Sequence, residues 1–171
     1  MAKPKFNKTN HRKGFFTPKN PLKYIGNPTE IMYRSSWELK FCNFCDHNDK
    51  IKKWASENVG IPYYDEKGKI HRYYPDFYVE IIYDNDLERE ERVFIEIKPE
   101  KEIKLDFINY EIVELIPPKK KSLKAYENYE YQLKTYIKNR MKWNAAMKWC
   151  EKRHMKFILL SEVHLKQGKI L

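Results

Sequence analysis

Apolar residues recur at helical spacing in Trp37, Phe41, Phe44 and Cys45, directly behind Ser35-Ser36-Trp37-Glu38. A serine followed three residues later by a glutamate forms a capping box, so a helix should open here and close over Asp46 to Asp49. The period then changes. Short runs at Ile51–Ser56 and Val59–Tyr64 read as strands, and a turn at Asp65-Glu66-Lys67-Gly68 leads into a longer strand, Ile70–Tyr83. Asp84-Asn85-Asp86 marks the next turn. From Val93 to Lys98 the alternation is strict. It puts Val93, Ile95 and Ile97 on one face and Phe94, Glu96 and Lys98 on the other, until Pro99 stops the strand.

Residues 100–121 read as an insertion or loop. Ile103 to Ile116 is apolar enough to be ordered, but Pro117-Pro118 followed by Lys119, Lys120 and Lys121 interrupts any regular element. Ser122 onward is helical: Leu123, Tyr126, Leu133, Tyr136 and Ile137, then Trp143, Ala146, Met147 and Cys150, hold an apolar stripe with a bend expected near Asn139. Lys156–Leu160 is a last strand. The order helix, strands, long helix, strand implies an α/β fold with a mixed central sheet flanked by helices.

Composition narrows the class. The chain has 171 residues, enough for one hydrophobic core. With 34% charged residues and no apolar stretch near the length of a membrane span, a membrane role is excluded from the reading. Three cysteines, an odd number, do not make a disulfide framework, which suits a reducing cytoplasm. The net charge of +10 is unevenly placed, since residues 1–29 contain seven Lys or Arg and no acid, and a second basic stretch runs from Lys119 to Lys156. Such a field favours a polyanionic partner such as nucleic acid. We read residues 1–32 as a basic arm, 33–162 as the main domain and 163–171 as a tail. Phe6, Phe15 and Phe16 in the arm have no evident core partner and are the aromatics best placed to stack on bases.

The chemistry rests on a few acids. Asp76 lies in the run Tyr73-Tyr74-Pro75-Asp76-Phe77-Tyr78, and Glu96 and Lys98 share one face of a later strand. Carboxylates on neighbouring strands can hold a divalent ion, and a lysine beside them can orient an attacking water. Read alone, Glu96 and Lys98 make a same-face ion pair. Glu38, at the third helical position, equally serves as the capping-box acid, while Glu57 suits a structural bond to backbone or to Arg34. Cys42-x-x-Cys45 and Cys150-x-x-x-His154 have a zinc-like spacing, yet cysteines beside core aromatics behave as small hydrophobes.

Pro75-Asp76 followed by Glu96-Ile97-Lys98 resembles the PD-(D/E)XK nuclease signature. Tyr33-Arg34-Ser35-Ser36-Trp37-Glu38, Trp54-Ala55-Ser56-Glu57, Arg72-Tyr73-Tyr74-Pro75-Asp76, Phe94-Ile95-Glu96-Ile97-Lys98-Pro99 and Lys142-Trp143-Asn144-Ala145-Ala146 together resemble the head-completion protein family of contractile-tailed phages. Residues 100–116 are extra to that pattern, and Arg153-His154 stands where a helix-ending glycine is usual. The resemblance implies a restriction-endonuclease-like core and magnesium-dependent DNA hydrolysis, with manganese as a substitute. It further implies metal binding by Asp76, Glu96 and Glu38, water activation by Lys98, and action in the host cytoplasm or with the virion. Arg34, Lys119, Lys120, Lys121, Lys124 and Lys142 would then contact phosphates, and head or neck proteins become candidate partners. A non-catalytic protein that holds a DNA terminus and an RNA-binding module are the alternatives.

Overall fold

A computed structural model describes residues 13–83, 86–103 and 122–167. Four strands form the central sheet in the order β3 (Ile51–Ser56), β6 (Phe77–Tyr83), β7 (Asp86–Ile97) and β8 (Lys156–Leu160). The pairs β3–β6 and β6–β7 are antiparallel, whereas β7–β8 is parallel, so the sheet is mixed as expected. Return to β8 in the parallel sense requires a crossover, and α3 (Leu123–Glu151) supplies it.

The alternation of β7 sorts the two faces. Val93 and Ile95 pack with Phe41, Cys42 and Cys45 of α1 (Ser36–His47). Phe94, one residue out of phase, packs with Cys150 of α3 on the opposite face. Burial of these side chains, at roughly 1.5–3 kcal/mol each, holds both helices to the sheet. Cys42 and Cys45 are fully buried, and burial pushes the Cys42 thiol up to about 12. They are core hydrophobes, and Cys150 lies across the sheet from them, so the zinc-like spacing brings no cluster together.

Four expectations are corrected. First, the Ile70–Tyr83 run is two strands. β5 (Ile70–Tyr73) pairs antiparallel with β4 (Ile61–Tyr64) in a separate hairpin. The break falls at Tyr74-Pro75-Asp76, because buried Pro75 has no amide hydrogen for the ladder. Second, the described part of the basic arm is folded. β1 (Gly14–Phe16) pairs with β2 (Ile31–Tyr33), and Phe16 packs edge-on against Trp54 at 6.0 Å rather than waiting for a base. A short 3-10 helix (Pro21–Lys23) lies between them. Its anchor is the fully buried Asp46, which accepts the Lys19 amide at 2.8 Å and the Asn20 amide at 3.0 Å. Periodicity cannot find this segment, since an acid near the end of α1 fastens it. Third, the helix expected from Ser122 onward is α3, which is continuous over 29 residues and capped by Ser122 accepting the Ala125 amide, so the expected bend does not interrupt it. Fourth, the tail begins with a helix, α4 (Glu162–Gln167), whose Leu165 is buried.

Within the insertion, Glu100–Ile103 form a helical turn, α2. Lys119, Lys120, Lys121 and Phe6 lie outside the described residues.

Candidate active site

The register of the central sheet sets the site. Phe77 of β6 stands opposite Ile95 of β7, and Asp76 and Glu96 are the neighbours of that last pair, Asp76 just before β6 and Glu96 next along β7. The charge of Glu96 is felt at the Asp76 carboxyl, so the two acids lie close together. Asp76 is held at both ends: its carbonyl accepts the Glu57 amide at 3.1 Å, and its Oδ2 accepts the Ile97 amide at 2.8 Å. Glu57 makes the first contact from a left-handed conformation, φ 44°, just beyond β3.

Glu96 is only 4% exposed. Its Oε1 lies 2.8 Å from Lys98 Nζ and its Oε2 accepts the Tyr73 hydroxyl at 2.6 Å. The simple ion pair with Lys98 is therefore present, but it is buried and lies beside a second carboxyl group. Burial first, and then the charge of Glu96, push the Asp76 carboxyl well above the usual carboxylate range. Lys98 and the Ile97 amide oppose this only in part. For Lys98, burial disfavours the ammonium, but attraction to Glu96 and Asp76 outweighs it and the pKa is raised. Lys98 is thus an ammonium at neutral pH and acts here as a donor.

Two residues beyond the acids close this place. Tyr73, at the end of β5, is buried, and burial and Glu96 together raise its pKa, so the hydroxyl keeps its proton and donates a hydrogen bond to Glu96. Lys142 reaches in from α3, its Nζ 5.5 Å from the centre of the Tyr73 ring. Burial lowers the Lys142 pKa despite the pull of Glu96, and Lys138 and Lys98 add repulsion. Sequence reasoning missed Tyr73 as a partner of Glu96. Its strand ends three residues before Asp76, and only the fold shows that the hairpin delivers it to β7.

The other expected residues separate. Glu38 does close the capping arrangement: its amide donates to Ser35 Oγ at 3.1 Å, and its Oε2 accepts the Arg34 amide at 2.7 Å. Its charge is felt at Asp76. Among the described residues no group of three Asp, Glu, His or Cys side chains gathers as an ion cage. Arg34 pairs with Glu57, as expected of that glutamate, and its hydrogen bond to Glu57 raises the Arg34 pKa. Lys124 is exposed on the first turn of α3, about 27 Å along the helix axis from Lys142.

The oxygen donors Asp76 and Glu96 fit a hard divalent cation such as magnesium, which takes few protein ligands and keeps several waters. Two crowded carboxyl groups, one driven toward its neutral form by the other, are what a positive ion would relieve. Among the described residues no helix is long and apolar enough to cross a membrane.

Comparison with known proteins gives the family. A family model described as "TnsA-like endonuclease N terminal" matches residues 48–162, which include Asp76, Glu96, Lys98, Tyr73 and Lys142. The chain is also 36% identical over 150 residues to the "Head completion nuclease" of Enterobacteria phage T4, covering 87% of this chain and 90% of that protein. No solved structure matches it.

Proposed function

The chain belongs to the TnsA-like endonuclease family and is a relative of the T4 head completion nuclease, and from that premise we propose that it hydrolyses phosphodiester bonds of DNA during phage head completion. The observation that carries this reading is the buried Asp76 carboxyl, held by the Ile97 amide and raised by the charge of Glu96, with Lys98 bound to Glu96. It is a PD-(D/E)XK arrangement in which Asp76 is followed by Glu96-Ile97-Lys98.

In this proposal Asp76 and Glu96 hold magnesium, or manganese in its place. When bound, such an ion stabilises charge developing on the phosphoryl oxygens and acidifies a bound water. Each side chain then has a task. The Ile97 amide fixes Asp76. Tyr73 fixes Glu96 from one side and Lys98 from the other. The Lys98 ammonium orients the attacking water, a role its raised pKa suits better than that of a base. Lys142, lowered by burial but still drawn to Glu96, contacts the phosphate being cleaved. Glu38 contributes its negative charge beside Asp76 and ties down Arg34 through the backbone. Arg34 and Lys124 meet phosphates further out, and Lys119, Lys120 and Lys121 are phosphate contacts by their charge alone. The host cytoplasm is the setting, and head or neck proteins are the natural partners.

The test uses purified full-length protein with plasmid and linear DNA, in magnesium and in chelator, beside Asp76→Asn and Glu96→Gln. Cleavage should require the metal and both carboxylates. Cleavage in chelator, or by both variants, would sink this site. Assembly of heads without any cleavage by the parent protein would favour the structural alternative.

A further inference from the structure

A groove of about 650 Å³ opens between the β4–β5 hairpin and the C-terminal half of α3, away from the acids. Its walls are Pro62 and Tyr64 on the hairpin and Ala145 and Trp149 on the helix; Lys148 and Lys152 stand on its rim. We propose that this groove binds an unpaired segment of DNA, with a base laid against Tyr64 and its flanking phosphates met by Lys148 and Lys152. The inference rests on the nuclease reading above and deepens it by naming a strand class.

Three observations carry it. The first is direction. Lys142 and Tyr73 meet beside Glu96, and Tyr73 pairs with Ile61 across the hairpin. From there α3 runs from Lys142 to Trp149, about 10 Å, while β4 runs from Ile61 to Tyr64, also about 10 Å. Both elements thus lead from the acids to the groove, as a strand leaving a scissile phosphate would.

The second is charge. Between residues 131 and 153, α3 and its terminal turn carry Lys134, Lys138, Arg140, Lys142, Lys148, Lys152 and Arg153 against one acid, Glu151. On the hairpin side, Asp65 is engaged by His71 at 2.8 Å and by the amides of Lys67 and Lys69. A polyanion is therefore met by cations on the helix wall.

The third is the aromatic surface. Tyr64 is 63% exposed, and the Arg153 guanidinium already lies 3.9 Å above the Trp149 ring. Flat π faces between cations suit single strands, whose bases are turned outward, while a duplex hides its bases.

The test measures binding of fluorescent oligothymidylate and of a blunt duplex to full-length protein in chelator, where cleavage is off. Tyr64→Ala should weaken oligothymidylate binding about tenfold and leave duplex binding within about twofold. Lys148→Glu with Lys152→Glu should weaken it further and lower its salt dependence by more than one unit of slope. Tyr64, Lys148 and Lys152 are all exposed, and equal unfolding midpoints of the variants would exclude misfolding. Unchanged oligothymidylate affinity in both variants overturns the proposal, as does an equal loss on the duplex. Displacement by polyglutamate at matched charge overturns it in favour of an acidic protein partner. Failure of the nuclease reading is separately visible, because cleavage surviving Asp76→Asn leaves these binding results untouched.

Discussion

At the end of α1, Asp46 is fully buried, and its carboxylate oxygens receive the Lys19 and Asn20 amides. Nearby, Lys23 Nζ caps the carbonyls of Asp46 and Asn48 at 3.1 and 2.7 Å. At the junction of β6 and β7, Asp76 and Glu96 also leave water, but there each faces another carboxyl group as well as its donors. A buried carboxylate whose oxygens meet backbone amides is a fastening. Two that crowd each other keep an unfavourable interaction that only a proton or a cation removes, and this separates a candidate site from a structural anchor.

The widest test of the contrast is functional. Asp76→Asn or Glu96→Gln should lower DNA cleavage by about 10³-fold or more, the several kcal/mol that a held metal ion contributes. Folding should survive, since Asn and Gln keep the hydrogen-bonding shape. Asp46→Ala should do the reverse. Removing the buried acceptor of two backbone amides should cost about 3 kcal/mol, or roughly 6–12 °C in Tm for a chain of this size. Activity per folded molecule should stay at the parent level. Equal loss of activity from both kinds of substitution would erase the distinction.

A finer test concerns Tyr73. Tyr73→Phe removes one hydroxyl that positions Glu96, so magnesium affinity measured by calorimetry should fall roughly tenfold, with cleavage falling alongside and regained in part at high magnesium. A normal magnesium affinity would show that Tyr73 serves packing alone.

The pH dependence of stability has a definite sign. An unfolded aspartate loses its proton near pH 3.9, while burial and Glu96 keep Asp76 protonated to higher pH in the folded chain. Above about pH 4 the folded state thus binds more protons than the unfolded one, and stability contributed by Asp76 falls as pH rises through its folded pKa. In chelator, Asp76→Asn should abolish that part of the decline and melt higher than the parent at pH 7. Magnesium should stabilise the parent but not the variant. Parallel melting curves across pH 4 to 8 would remove the claim that Asp76 is crowded.

How far the sequence reveals these regions follows from the range of the interactions. Strict alternation in β7 separated Glu96 from Ile95, and the limits of β3 and β8 were legible because strand periodicity is local. The nearness of Asp76 to Glu96 was suggested by their places on separate strands and sharpened by the family pattern, since 20 residues separate them. Tyr73 on Glu96, Lys142 over Tyr73 and Asp46 on Lys19 were not legible, because each joins elements that only the folded sheet and α3 bring together. The arm was misread for the same reason: Phe16 and Ile31 have no periodicity of their own and find their partners in the core.

The smallest predicted effect lies at the far end of α3, where local sequence did mark an irregularity. Arg153-His154 occupies the place where a glycine commonly ends a helix, and His154 takes the left-handed conformation, φ 54°. Around it the His154 amide donates to Glu151 at 3.1 Å and the Met155 amide to Cys150 at 3.0 Å, the paired bonds of a Schellman ending. A side chain there costs about 1 kcal/mol that glycine would not incur. His154→Gly should therefore raise Tm by roughly 2–4 °C. It should leave metal affinity and cleavage unchanged, because the turn only feeds β8, whose Leu160 carbonyl still accepts the Lys98 amide at 2.9 Å. Should cleavage fall while stability rises, β8 would have to be counted with the site rather than with the scaffold that Asp46 represents.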